Sequence, residues 1–182
     1  DAFRVDGCIA PSHRFARPDE DLRLHAVVEA LAPLEPDRGW AWAPGERRWR
    51  DGRAYEADQR SFCRLQQDCL QQKGLTLQAG FELEWMVFAG DAGTQGSPAF
   101  PGGPYGADRL VEGLDYASEI CEGLDAAGLD WLQFHPEYGA SQFELSLAHA
   151  SAVEAADRLV LTRLVIQRVS RRLGLRCSIT PQ

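Results

Sequence analysis

Glu82 and Glu84 stand two residues apart in Gly80-Phe81-Glu82-Leu83-Glu84-Trp85, and a second acidic pair brackets the run Glu137-Tyr138-Gly139-Ala140-Ser141-Gln142-Phe143-Glu144. Extended backbone sends residues i and i+2 to one face, so Glu82 and Glu84 project together while Phe81, Leu83 and Trp85 turn toward a core. In Gln142-Phe143-Glu144-Leu145-Ser146-Leu147 the same alternation leaves Gln142, Glu144 and Ser146 opposite the apolar side chains. Trp131 to Glu137 reads as a further strand in which Gln133, His135 and Glu137 share a side. If these strands present their polar faces the same way, four carboxylates converge, and a cation among them relieves their repulsion. Oxygen ligands favour a hard divalent ion such as Mg2+ or Mn2+. A solvated face on an amphipathic strand is the ordinary account of either couplet taken alone.

The elements that must hold these residues follow from punctuation and period. Residues 1 to about 58 are broken by Pro11, Pro18, Pro33, Pro36 and Pro44. Phe3 to Ala10 reads as a strand, Trp40-Ala41-Trp42-Ala43-Pro44 as a short aromatic strand, and Arg47 to Tyr55 as a hairpin around Asp51-Gly52. Phe62, Leu65, Cys69 and Leu70 predict a helix from Gln59 to Lys73, stopped by Gly74. A strand follows from Thr76 to Phe88. Asp91 to Gly106, rich in glycine and proline, reads as a long loop of the kind that often carries function. Ala107 to Ala127 has helical spacing and ends at Gly128. Ser151 with Glu154 forms a capping box for a helix over Val153 to Leu173, closed by Gly174, and Leu175 to Thr180 begins another strand. The order from Thr76 onward (strand, helix, strand, strand, helix, strand) predicts an α+β fold: an antiparallel sheet with helices on one face and the glutamates on the open one.

Composition excludes several function classes. At 182 residues, with 45% hydrophobic and 25% charged residues, the chain matches an ordinary globular domain. No apolar run approaches the roughly 20 residues that span a bilayer. A formal charge of -8 argues against a nucleic-acid partner. The densest cations, Arg163, Arg168, Arg171 and Arg172, fall in the second half of the last predicted helix, where they complement its dipole. Five cysteines without Cys-x-x-Cys spacing indicate neither a zinc knuckle nor a disulfide framework, and a reducing cytoplasm fits them. Of the four histidines only His135 shares a face with a candidate ligand, Glu137.

Taken together, several segments resemble the glutamine synthetase superfamily. Gly80-Phe81-Glu82-Leu83-Glu84-Trp85 is similar to its Gly-x-Glu-x-Glu-Phe strand, and Asp51-Gly52 followed by Asp58-Gln59-Arg60 to its Asp-Pro-Arg approach to the first catalytic-domain helix. Gly103-Pro104-Tyr105-Gly106 resembles its Gly-Gly-Tyr segment, Glu137 to Glu144 its Glu-x-x-x-Gly-Gln-x-Glu, and Ala155-Ala156-Asp157 the Ala-Asp of the following helix. The resemblance implies a curved antiparallel sheet from residue 59 to 182, forming the N-terminal half of a catalytic domain, with residues 1 to 58 a remnant of a β-grasp domain and linker. It implies that Glu84, Glu137 and Glu144 are ligands of one Mg2+ or Mn2+ and Glu82 a ligand of a second. Tyr105 would lie near the acceptor amine, and Glu137 would help take a proton from it. The parent enzyme would use ATP to phosphorylate the γ-carboxylate of glutamate, join it to ammonia or a larger amine, and form a ring-shaped homo-oligomer without membrane or nucleic-acid partners.

Two departures accompany the resemblance. Ser141 stands where the family usually has glycine, which calls the backbone geometry of that turn into question. The His-x-His and the substrate-binding arginines that follow in the family are not among these residues, so the piece alone is expected to be inactive in synthesis. A truncated relative that binds metal or a protein partner without chemistry is the alternative expectation.

Overall fold

In a computed structural model, residues 2–3, 9–10, 21–35, 38–90 and 96–180 are described. Their strands and helices run β1 (Ala2–Phe3), β2 (Ile9–Ala10), β3 (Arg23–Ala26), β4 (Ala32–Glu35), β5 (Trp40–Trp42), β6 (Gly45–Arg48), α1 (Gln59–Gln71), β7 (Gln78–Ala79), β8 (Glu82–Ala89), β9 (Ser97–Pro98), α2 (Ala107–Glu112), α3 (Leu114–Ala126), β10 (Trp131–Pro136), β11 (Gln142–Leu147), β12 (Ala150–Ser151), α4 (Ala152–Arg172) and β13 (Arg176–Ser178). They divide into two compact units: Asp1–Leu31 with Ala43–Leu77, and Ala32–Trp42 with Gln78–Gln182.

In the first unit β3 pairs antiparallel with β6, and the predicted hairpin forms after it, with Trp49 and Arg53 closing the turn. The described ends of the stretch expected as one strand from Phe3 to Ala10 pair with each other instead, Phe3 against Ile9. Asp58 caps α1 by accepting from the Ser61 N–H at 2.8 Å, which satisfies a donor the first helical turn leaves free. Glu46 is buried beneath Arg60, Arg64 and Arg48. Burial alone would raise its pKa; the Arg64 and Arg60 guanidiniums overcome that and hold it low.

The second unit is built on a sheet ordered β10-β11-β8-β13, antiparallel throughout, with β9 also on β8. Leu83, Trp85 and Val87 of β8 and Phe143, Leu145 and Leu147 of β11 meet Tyr116, Ile120 and Leu124 of α3 and Leu161, Val165, Ile166 and Val169 of α4. Each of the fully buried apolar side chains contributes about 1.5–3 kcal/mol relative to exposure. A polar thread crosses this core: the Trp85 indole N–H donates to the Tyr116 hydroxyl at 2.9 Å, and Tyr116 lies 2.9 Å from the Ser170 hydroxyl. The Ser170 proton is committed to the Ile166 carbonyl at 2.7 Å, so Tyr116 donates to Ser170. Burial pushes the Tyr116 phenol far up, which keeps it a neutral donor.

The expected α+β sheet with helices on one face is what forms. The differences lie at element ends. The strand expected over Thr76 to Phe88 breaks at Gly80, because β7 pairs with β12 while β8 pairs with β11. A Cβ at Gly80 would stand 3.2 Å from the Leu147 carbonyl, and Phe81, placed in the core by alternation, is 36% exposed beside the break. The helix expected over Ala107 to Ala127 divides at Gly113, whose missing Cβ leaves room for the Phe143 ring. Ser151 begins α4 but makes no side-chain cap bond; Glu154 pairs with Arg158 at 2.8 Å instead. Arg168 is bidentate to Glu35 and Arg172 pairs with Glu119, so two of the four late cations have carboxylate partners beyond the helix dipole. Cys63, Cys69, Cys121 and Cys177 are free thiols, and Cys8 lies outside the described residues. Among the described residues no helix is long and apolar enough to cross a membrane.

Candidate metal centre

Register assembles the site. His135 of β10 stands opposite Glu144 of β11, and Glu144 stands opposite Glu84 of β8, which puts one polar residue from each of three strands in a row. Facing residues of antiparallel strands share a face, here the one opposite α3 and α4. The next row runs Gln133, Ser146 and Glu82.

His135, Glu137 and Glu144 each offer a ligand atom, all within 4.8 Å of one another. His135 Nδ1 lies 3.6 Å from Glu137 Oε1, and Nε2 lies 3.7 Å from Glu144 Oε1. The Pro136 carbonyl, 3.0 Å from Nδ1, can only accept, so that contact places a proton on Nδ1 and turns Nε2 toward Glu144. Glu144 carries a raised pKa: burial is the first cause, Glu82, Glu137 and Glu84 add repulsion, and His135 opposes them. A carboxylate in that position is under-compensated, and a divalent cation fits the set of two carboxylates and one imidazole.

The glutamates are held differently. Glu137 is nearly buried, and its Oε2 accepts from the Tyr105 hydroxyl at 3.2 Å and from the Tyr138 N–H at 3.0 Å. Glu84 accepts from the Gln142 side-chain amide, whose carbonyl accepts from the Gly139 N–H. It therefore faces Glu144 in register without joining the compact group, and Glu82 lies one row farther along. Tyr105 is 58% exposed, held at φ +52° in the turn closed by the Gly106 N–H on the Gly103 carbonyl. Partial desolvation first, and then its bond to Glu137, push its phenol pKa up. The loop expected over Asp91 to Gly106 thus carries strand β9 and this turn; residues 91–95 lie outside the described part.

Ser141 answers the question raised by its position. It adopts φ +60°, the left-handed conformation that glycine takes without strain, and is fully buried. Its carbonyl accepts from Val87 and its hydroxyl accepts from the Phe100 N–H, both at 3.0 Å, so the side chain satisfies a donor that glycine would leave free. Of the participants, His135 was legible as a face-sharer of Glu137, but a lone His among carboxylates has no ligand spacing of its own. Gln142 was placed on the polar face without a partner being readable. Arg109, whose guanidinium reaches the backbone of this hairpin, gave no signal in the sequence.

Comparison with known proteins now decides the family. Residues 56–182 match the model of the glutamine synthetase catalytic domain. The chain belongs to the glutamine synthetase family. It is 42% identical over 183 aligned residues to a gamma-glutamylpolyamine synthetase of Streptomyces coelicolor, an alignment covering all of this chain and 39% of that protein. It is 28% identical over 134 residues to a glutamine synthetase of Pyrococcus horikoshii, covering 74% of this chain and 30% of the relative. A crystal structure of a glutamine synthase homologue superposes with a TM-score of 0.79 at 27% identity, over 94% of this chain and 40% of the other. A GmaS complex with ADP shares the fold, with a TM-score of 0.82 at 24% identity over 93% of this chain and 40% of the other. This glutamine synthetase-family chain thus spans about two fifths of the length of the Streptomyces relative.

Proposed function

We propose that these residues form part of an ATP-dependent ligase that phosphorylates the γ-carboxylate of glutamate and joins it to an amine, with an amine larger than ammonia as acceptor. The observation that carries the reading is the convergence of His135, Glu137 and Glu144 on the helix-free face of the sheet. The choice of a larger amine is supported by the 42% identity to a gamma-glutamylpolyamine synthetase across the whole chain. In this reading residues 59–182 belong to the catalytic domain and residues 1–58 to a β-grasp remnant and linker, the parent is a ring-shaped cytoplasmic homo-oligomer, and neither nucleic acid nor membrane is a partner.

Glu137, Glu144 and His135 hold one Mg2+ or Mn2+, Glu84 adds a carboxylate from the facing strand, and Glu82 contributes to a second ion. An ion held by these residues would supply the positive charge that phosphoryl transfer needs. Glu137 has a further role: its Oε2 already accepts two hydrogen bonds, from Tyr105 and Tyr138, which fixes the carboxylate where it can accept a proton from the acceptor ammonium. Tyr105, exposed beside it, orients the amine.

Mn2+ titration followed by electron paramagnetic resonance tests the reading. The wild-type chain should bind Mn2+, more tightly with ATP present, and Glu137→Gln and Glu144→Gln should each weaken binding at least tenfold. A wild-type chain that binds no Mn2+, or two variants that bind it as well as wild type, would sink it. Binding indifferent to ATP would instead mark a metal module without ligase chemistry.

A further inference from the structure

Arg109 is 1% exposed, yet no described carboxylate pairs with it. Its guanidinium is spent on main-chain carbonyls: Nη1 donates to Glu137 O at 2.5 Å and to Gln142 O at 3.3 Å, and Nη2 donates to Gly102 O at 2.6 Å. The Nε–H is buried with no partner. Withdrawing a cation from water without a counter-charge is unfavourable by several kcal/mol before its hydrogen bonds offset the loss. Core packing would be better served by an apolar residue of the same length, so the interest lies in what the three carbonyls have in common.

They belong to the two segments that carry Glu137, one ligand of the candidate metal centre, and Tyr105, whose hydroxyl bonds it. Glu137 O and Gln142 O are the ends of the turn that sets the Glu137 carboxylate, and the Glu137 N–H already donates to Gln142 O at 2.8 Å. Gly102 O opens the segment that bears Tyr105, whose hydroxyl reaches the same carboxylate. At Gly102, φ is +139° and a Cβ would lie 3.0 Å from Arg109 Cβ and 3.1 Å from its N, so the segment lies directly on α2. One rigid fork therefore grips both sides of the Tyr105–Glu137 contact from behind, and a lysine cannot reproduce it because its donors sit on a single atom.

We propose that Arg109 is a positioning residue of the metal centre, locking the Tyr105 segment and the Glu137–Gln142 turn into one fixed arrangement. This rests on the metal-binding reading given above, and it differs from general support of the fold in being confined to those two segments.

The test combines hydrogen exchange read by mass spectrometry, Mn2+ affinity and thermal melting on the whole chain, for wild type, Arg109→Lys and Arg109→Met. With Arg109→Met, amides in 102–106 and 137–142 should exchange at least tenfold faster while α4 keeps its protection, and Mn2+ affinity should fall by about tenfold or more. Arg109→Lys should restore neither segment fully. A folded Arg109→Met chain with wild-type exchange in both segments and wild-type Mn2+ affinity overturns the proposal, as does loosening spread evenly through α4. Should Arg109→Met not fold, Gly102→Ala keeps the guanidinium in the chain while its added Cβ forces the 102–106 segment and Arg109 apart: faster exchange in 102–106 with weaker Mn2+ binding supports the clamp, and unchanged values overturn it. If the wild-type chain binds no Mn2+, the metal reading fails by itself, and joint or separate loosening of the two segments still decides whether Arg109 ties them.

Discussion

Glu144 sits where burial and three neighbouring carboxylates all disfavour its charge, and only His135 counters them. Its pKa is therefore higher folded than unfolded, and the sign of the linkage follows. As pH rises through the folded value, the native state is left with a charge it holds less comfortably than the unfolded chain does, so stability falls. Glu144→Gln removes that charge, and the metal-free variant should be more stable than wild type at pH 7–8 by up to about 1 kcal/mol. The advantage should fade at a pH low enough to protonate Glu144 in both states. Calorimetric melting across that range checks it, and a variant less stable than wild type at pH 8 would contradict it. The paired loss of Mn2+ binding would make the site a case of stability yielded to function.

At the scale of elements the turn before β11 is the informative case. Ser141 combines a left-handed backbone, unfavourable by about 1–2 kcal/mol for a residue with a Cβ, with a hydroxyl that satisfies the buried Phe100 N–H. Ser141→Ala keeps the strain and loses the bond, and should destabilise by about 1–3 kcal/mol. Ser141→Gly also loses the bond but releases the strain, and should be the milder change by about 1 kcal/mol in the unfolding free energy extrapolated from urea titration. Glycine proving as damaging as alanine would refute the strain argument. The strands themselves were readable, because alternation over Glu82 to Val87 and Gln142 to Leu147 is a direct record of which face is buried. The helix end at Gly128 was readable too: it takes φ +70°, and the Leu129 N–H then returns to the Leu124 carbonyl. Gly80 and Gly113 were not readable as breaks, since what interrupts each element is a backbone carbonyl or a ring far away in sequence. Arg109 was hidden for the same reason, because main-chain carbonyls carry no residue identity.

Across the whole molecule the two units should answer acid in opposite senses. In the first, Glu46 and Asp58 have depressed pKa values: burial would raise both, but Arg64 and Arg60 outweigh it at Glu46, and the Ser61 and Arg47 N–H groups outweigh it at Asp58. A depressed folded pKa contributes stability that is complete above the ordinary carboxylate range, about pH 4–4.5, and is lost as pH falls below it. In the second unit, acid relieves the repulsion at Glu144. Lowering the pH from 6 to 3.5 should therefore loosen α1 before α4, and pulsed hydrogen exchange distinguishes the two. Simultaneous loss of protection in both helices would show that these carboxylates do not govern the acid response.

The alternation of β11 has one further consequence. A slip of a single residue against β8 would turn Phe143, Leu145 and Leu147 out to water and drive Glu144 into the apolar layer. Misalignment that would scatter the ligands is thus penalised by the oil-like side of the same strand, long before any ion arrives. The packing acts as a proofreader for chemistry on the opposite surface, so the acidic row needs no metal to find its alignment.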